Sequence, residues 1–314
     1  MSTTTTDQTR GLSHALVAPL EDGTIWTVEK AYDYCERLAR SHYENFPVGS
    51  VLVPKHLRKH FYSIYAFART ADDFADEGYD ETYPESERLR LLETWGQMLG
   101  ECLRNKAEHP VFVALAQTIA DFDLPPSLFE DLISAFAQDV RLRRYDDFEM
   151  LVDYCRRSAN PSGRLILLLF GHRDEQLHLW SDDICTALQL ANHWQDVAVD
   201  LDKDRIYLPV EDQKSFGIST EDLFSRRATD DFKKLLAFEV DRAETMFRHG
   251  KPLCTAVSGR LGLELRSVWL GGTRILNRIR AIGYDVFNTR PVITSTDKLR
   301  ILLGASSKIL FRHY

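Results

Sequence analysis

A chain of 314 residues, 44% of them hydrophobic, is long enough for one large core, and no stretch rich in Pro, Gly or Ser reads as a linker between domains. A formal net charge of −8 excludes a general nucleic-acid binder, because nothing supplies the basic surface that a phosphate backbone needs. The same excess of carboxylates suits binding that depends on cations.

The Thr-rich start, Met1 to Arg10, lacks an apolar signal core, and no segment approaches the roughly 20 apolar residues of a spanning helix. Residues 1–27 read as a flexible N-terminal segment and 28–314 as one helical domain, in a cytoplasmic protein that is soluble or peripheral to the inner face of the membrane. Cys35, Cys102, Cys155, Cys185 and Cys254 are widely separated and odd in number, as befits reduced thiols used for packing.

Helical periodicity runs from about Val28 to Cys102, with a break between Pro47 and Pro54. The helix after the break carries Asp72-Asp73-Phe74-Ala75-Asp76. A four-residue step returns to nearly the same helix face with a rise of about 6 Å, so Asp72 and Asp76 project together. Tyr65 and Arg69 precede them at steps of four and three and share that face. The plainer reading makes Tyr65 a core aromatic and Arg69 a partner of Asp72 or Asp73 in a weak intrahelical bridge.

Further helical patterns cover about His109 to Phe122, Pro126 to Val140 and Phe148 to Leu169. The next, Asp182 to Leu201, bears Gln189, Asn192, Asp196 and Asp200 at steps of three, four and four, with Leu188, Leu190 and Ala191 supplying apolar packing. Asp202-Lys203-Asp204-Arg205 follows at once, and its Lys203 and Arg205 suit phosphate oxygens or, more plainly, a charged surface. Patterns over Thr229 to His249 and Gly259 to Ile282 complete an all-α bundle. From Leu299 to Arg312, apolar and basic residues alternate, as in a membrane-surface helix or a terminal helix packed on the bundle.

One acidic pair four residues apart is usually a solvated surface. Two acidic sets, each embedded in apolar sequence, point instead to a magnesium site completed by substrate phosphates, because Mg2+ prefers hard oxygen ligands.

Taken together, Tyr65-Ala66-Phe67-Ala68-Arg69 with Asp72-Asp73-x-x-Asp76, Gln189-x-x-Asn192-x-x-x-Asp196-x-x-x-Asp200 and Asp204-Arg205-Ile206-Tyr207-Leu208-Pro209 resemble the trans-isoprenoid diphosphate head-to-head synthases, which include squalene and phytoene synthases. The resemblance runs from about Ala31 to Leu303. It implies a single-domain isoprenoid-synthase-type bundle with a central apolar cavity. It also implies several Mg2+ ions bridging a prenyl diphosphate, held by Asp72, Asp73, Asp76, Asn192, Asp196 and Asp200. Arg69, Lys203, Arg205 and Arg290 would bind the diphosphate, with Tyr65 and Gln189 orienting these groups.

Within the family, His42-Tyr43-Glu44-Asn45-Phe46-Pro47-Val48 and Tyr154-Cys155-Arg156-Arg157-Ser158-Ala159-Asn160-Pro161-Ser162-Gly163 look most like the bacterial branch that turns presqualene diphosphate into hydroxysqualene. His42 and Asn45 are then further substrate-binding candidates. Tyr154 matches the family's tyrosine near the reacting centre, while Asn160 or Ser162 stands where relatives carry small or apolar residues and is a candidate for positioning a water. Gly272 falls where some relatives place an aromatic residue. No NADPH is expected for the hydroxysqualene step. Candidate partners are the neighbouring squalene-pathway enzymes and the membrane. The alternatives are a synthase that condenses two prenyl diphosphates, and a non-enzymatic helical assembly protein.

Overall fold

A computed structural model of the chain describes residues 25–41, 53–76, 84–306 and 308–311. His42 and Asn45 lie outside the described residues, as does the Asp76 side chain. Among the described residues there is no strand, only one isolated parallel bridge between Arg144 and Ile206. The chain divides into two compact units, residues 1–141 with 165–171, and residues 142–164 with 172–314.

The first unit holds α1 (Val28–Ser41), α2 (Arg58–Asp76), α3 (Glu85–Leu103), α4 (Pro110–Phe122) and α5 (Ser127–Arg141). Phe67, Ala71 and Phe74 of α2 recur at steps of four and three and are fully buried. Phe67 lies 6.0 Å from Trp95 in a stacked arrangement and meets Phe112 and Phe129 edge-on at 5.8 and 5.3 Å. Such aromatic packing fixes the rotation of α2 about its axis. Tyr65, Arg69 and Asp72 each stand two residues before one of these anchors, about 200° round the helix, and so face away from the core. Polar groups that burial would orphan are paired among themselves: the Tyr32 hydroxyl is 3.1 Å from both His60 Nδ1 and Thr118 Oγ1.

The second unit contains α6 (Phe148–Ser158), the start of α7 (Asn160–Leu169), α8 (Glu175–Asp202), α9 (Val210–Ser215), α10 (Thr220–Phe224), α11 (Asp230–Gly250), α12 (Leu253–Ala256), α13 (Gly259–Ala281), α14 (Ser295–Ser306) and α15 (Lys308–Phe311). Leu165 to Gly171, the remainder of α7 and its exit, belongs to the first unit. α8 packs along α11 and also meets α13. At that meeting Gly272 lets the helices approach closely: a Cβ there would stand 2.3 Å from Phe247 Cζ and 2.8 Å from Leu188 Cδ2, so those side chains would have to shift.

Two boundaries differ from the periodicity. The pattern from Phe148 to Leu169 is two helices, because Pro161 has no N–H to continue the ladder and is accommodated only in a first turn, so a new helix starts at Asn160. α8 begins at Glu175, well before Asp182, since the Asp174 carboxylate accepts hydrogen bonds from the Gln176 and Leu177 amides at 2.8 and 3.3 Å. Among the described residues no helix is long and apolar enough to cross a membrane.

Candidate active site

In the first unit, Arg69 organises the acidic face of α2. Its Nη1 is 3.2 Å from Asp72 Oδ2 and its Nη2 is 2.5 Å from Asp73 Oδ1. The intrahelical pairing of the plainer reading is therefore real, and it holds both carboxylates on one side of α2. Tyr65 belongs to the same group: burial raises its phenol pKa, Arg69 pulls it down, and Asp73 and Asp72 add to the rise. Asp76 is the last residue of α2.

In the second unit, α8 buries Leu190, Ala191, Trp194 and Val197, which leaves Gln189, Asn192, Asp196 and Asp200 on its polar side. Asn192 is exposed. Asp196 accepts a fork of hydrogen bonds from Arg290, and this carboxylate raises the Arg290 pKa, with Asp200 adding to the rise. The segment that carries Arg290 is tied to the same helix by Gln195 Nε2, which donates to the Pro291 carbonyl at 2.5 Å.

The end of α8 places the basic groups. Asp204 adopts a left-handed conformation, φ 55°, its N–H bonding to Leu201 O at 3.1 Å while that of Arg205 bonds to Asp200 O at 2.8 Å. That is a Schellman closure with aspartate where glycine is usual. Arg144 secures it, with Nη2 2.5 Å from Asp204 Oδ1. As a result Arg205 folds back beside the last turn of α8, where it is 5% exposed and lines a small recess with Asp200, His193 and Tyr207. Lys203 is the C-cap, half-buried.

Tyr154 is buried within an aromatic cluster. Its ring centroid lies 5.6 Å from Tyr145, 6.1 Å from Tyr207 and 6.2 Å from His193. His193 stacks on Tyr207 at 3.6 Å, and its Nε2 is 3.3 Å from Gln189 Nε2. Burial, with the Arg205 charge adding, lowers the His193 pKa to about 3, so the ring is neutral. Asn160, 6% exposed, accepts a hydrogen bond from Thr186 Oγ1 at 3.0 Å on its Oδ1. The approach of α7 to α8 that permits this depends on Gly163, where a Cβ would lie 2.4 Å from Ser181 Oγ. Ser162, the alternative to Asn160, is exposed.

His193, Tyr145 and Thr186 carry no site signal in the sequence, and Tyr207 stands in the Asp204-to-Pro209 motif without a role of its own. His193 and Tyr207 are neighbours only because the chain reverses at Asp204, and Tyr145 joins through the bridge at Arg144, so helical spacing carries no signal for them. The Asn160–Thr186 pair spans two helices for the same reason.

Among the described residues no three His, Cys, Asp or Glu side chains form a group that could hold a metal by themselves. Asp72 and Asp196 are instead accessible oxygen donors balanced by arginine, with side chains 36% and 14% exposed. That donor chemistry fits Mg2+, which usually binds through one or two carboxylates, retained waters and substrate phosphates rather than in an all-protein cage.

A family model for squalene/phytoene synthase matches residues 39–297, and the chain belongs to that family. It is 34% identical over 241 residues to a hydroxysqualene synthase of Rhodopseudomonas palustris, covering 76% of this chain and 80% of the relative. It is 28% identical over 289 residues to a 15-cis-phytoene synthase of Synechocystis, covering 88% and 84% respectively. The crystal structure of squalene synthase HpnC from Alicyclobacillus acidocaldarius matches with a TM-score of 0.77 and 45% identity, covering 82% of this chain and 95% of that one. The helical fold is the family's, and the family's substrates are prenyl diphosphates.

Proposed function

We propose that the protein ionises presqualene diphosphate and adds water to the resulting carbocation, giving hydroxysqualene and diphosphate. The C–O bond to the diphosphate breaks heterolytically, the cyclopropylcarbinyl cation rearranges and its three-membered ring opens as water attacks, and the water gives up one proton. The observation that carries this reading is the buried Asn160 amide, held by Thr186 where the resemblance puts small or apolar residues. With Oδ1 occupied by Thr186, its Nδ2 is the group left to grip the oxygen of a water and keep one lone pair free for the cation. Likeness to hydroxysqualene synthases of Rhodopseudomonas palustris and Zymomonas mobilis, at 34% and 32% identity, supports the same step.

Asp72, Asp73, Asp76, Asn192, Asp196 and Asp200 would hold Mg2+, which when bound neutralises charge on the departing diphosphate. Arg69 and Arg290 bind phosphate oxygens, as do Lys203 and Arg205 at the end of α8. Tyr65 and Gln189 orient them. The Tyr154 ring offers a negative π face to a carbocation, with Tyr145, Tyr207 and His193 packed around it, and His193, being neutral, adds no charge against it. A thirty-carbon product needs an apolar acceptor, and this supports a reading in which the enzyme works beside the inner face of a membrane and next to the enzymes that make its substrate and consume its product.

The second reading, a synthase that joins two prenyl diphosphates, draws on the likeness to phytoene synthases. Mass spectrometry of products from presqualene diphosphate or farnesyl diphosphate, with Mg2+ and without NADPH, separates the two. Hydroxysqualene from presqualene diphosphate alone supports the proposal. A thirty-carbon product from farnesyl diphosphate supports the second reading, and no turnover of either points to a non-enzymatic assembly protein.

A further inference from the structure

We infer that α14 is a docking face for an anionic phospholipid bilayer. Leu299, Leu302 and Leu303 are 59%, 59% and 56% exposed, and they recur on α14 at steps of three and one. At about 100° per residue they form a single apolar stripe roughly 100° wide. Lys298 and Arg300, both exposed, flank this stripe on its two sides. The opposite face is committed to the fold. There Gly304, Ala305 and Asp297 are buried, and the Asp297 carboxylate accepts from Arg274 Nε at 2.7 Å and from Arg278 Nη2 at 2.6 Å.

The charge balance of this surface selects the lipid. Asp297, the acidic residue of α14, is enclosed by two arginines, so that cluster keeps a surplus positive charge. Arg300 also lines a surface groove with Thr273, Asn277, Arg274 and the Asp297 carboxylate that Arg274 holds, and there Arg300 is the exposed cation available to a lipid phosphate. Leucines that enter the interface between basic flanks match the arrangement of helices that lie in a membrane surface. This face uses no residue of the proposed diphosphate site, so it stands or falls separately from the reaction.

Sedimentation of the full chain with vesicles of phosphatidylcholine, alone or mixed with phosphatidylglycerol, tests the inference without any substrate. Binding to the mixed vesicles, weakened by salt, is expected, and the double variants Leu302→Ser/Leu303→Ser and Lys298→Glu/Arg300→Glu should each lower partitioning about tenfold or more. All four side chains are exposed, and an unchanged circular dichroism spectrum keeps a negative result meaningful. Equal binding to both vesicle types, or variants that partition like the parent, would overturn the inference. So would a concentration-dependent dimer abolished by Leu302→Ser/Leu303→Ser, which would assign the face to a second copy of the chain.

Discussion

Arg290 and Asp196, 94 positions apart in the chain, meet as a forked ion pair, with Nε 2.5 Å from Oδ1 and Nη2 3.1 Å from Oδ2. Arg290 is 51% exposed, so the pair adds little to stability. In the proposed reaction its value is positional: the carboxylate that would hold Mg2+ and the guanidinium that would bind phosphate are kept in contact. Arg290→Ala should lower turnover by roughly two orders of magnitude, the usual cost of losing one preorganised charge stabiliser, with little change in melting temperature. Diphosphate release beside a thermal melt checks this, and a large fall in stability with normal turnover would refute it.

Thr186→Val removes the hydroxyl that fixes Asn160 while nearly preserving shape. Losing this buried hydrogen bond should cost about 1–3 kcal/mol, because Asn160 Oδ1 is left unsatisfied. More telling, the ratio of alcohol to hydrocarbon products should fall, measured by mass spectrometry at matched turnover. An unchanged ratio would detach Asn160 from water placement.

Two buried groups give the stability a pH dependence of opposite sign. Burial raises the Glu239 pKa from 4.5 to about 8, with Arg242 opposing and Asp212 adding to the rise. The folded state therefore keeps a proton that the unfolded chain loses, and stability falls as pH rises from 4.5 to 8. His193 stays neutral down to about 3 when folded but is protonated below 6.5 when unfolded, so its contribution falls as pH drops through 6.5. Each slope approaches about 1.4 kcal/mol per pH unit at most. Urea unfolding across this range should show Glu239→Gln flattening the alkaline limb and His193→Phe flattening the acidic one.

Gly272→Ala would drive a Cβ to within 2.3 Å of Phe247 Cζ. Phe247 is fully buried, so overpacking should cost about 1–3 kcal/mol, and Phe247→Leu in the same chain should recover part of it. Denaturant midpoints of the two single variants and the double variant measure the coupling, and strictly additive losses would show that these residues do not compete for space.

That contact also shows where sequence reading stopped. Gly272 could be seen as a departure from relatives with an aromatic residue, but only the packing of α13 on α8 and α11 shows the volume taken by Phe247 and Leu188. What was legible is local. The stripe of Tyr65, Arg69 and Asp72 and the row from Gln189 to Asp200 lie within single helices, where a fixed period converts spacing into direction. The break at Asn160 was less visible because apolar residues continue past Pro161, and the early start of α8 depends on a cap rather than a repeat. The stack of His193 on Tyr207 needs a chain reversal that no periodicity encodes.

The closure at Asp204 makes the end of α8 act as a ruler. Arg205 is indexed to Asp200 by one backbone hydrogen bond, and adding a residue to the helix before it would turn that index by about 100° and advance it by about 1.5 Å. Single insertions or deletions from Leu201 to Asp204 should therefore be far less tolerable than substitutions there. Variation that tunes affinity is left to side-chain chemistry, while the length of this segment is effectively frozen.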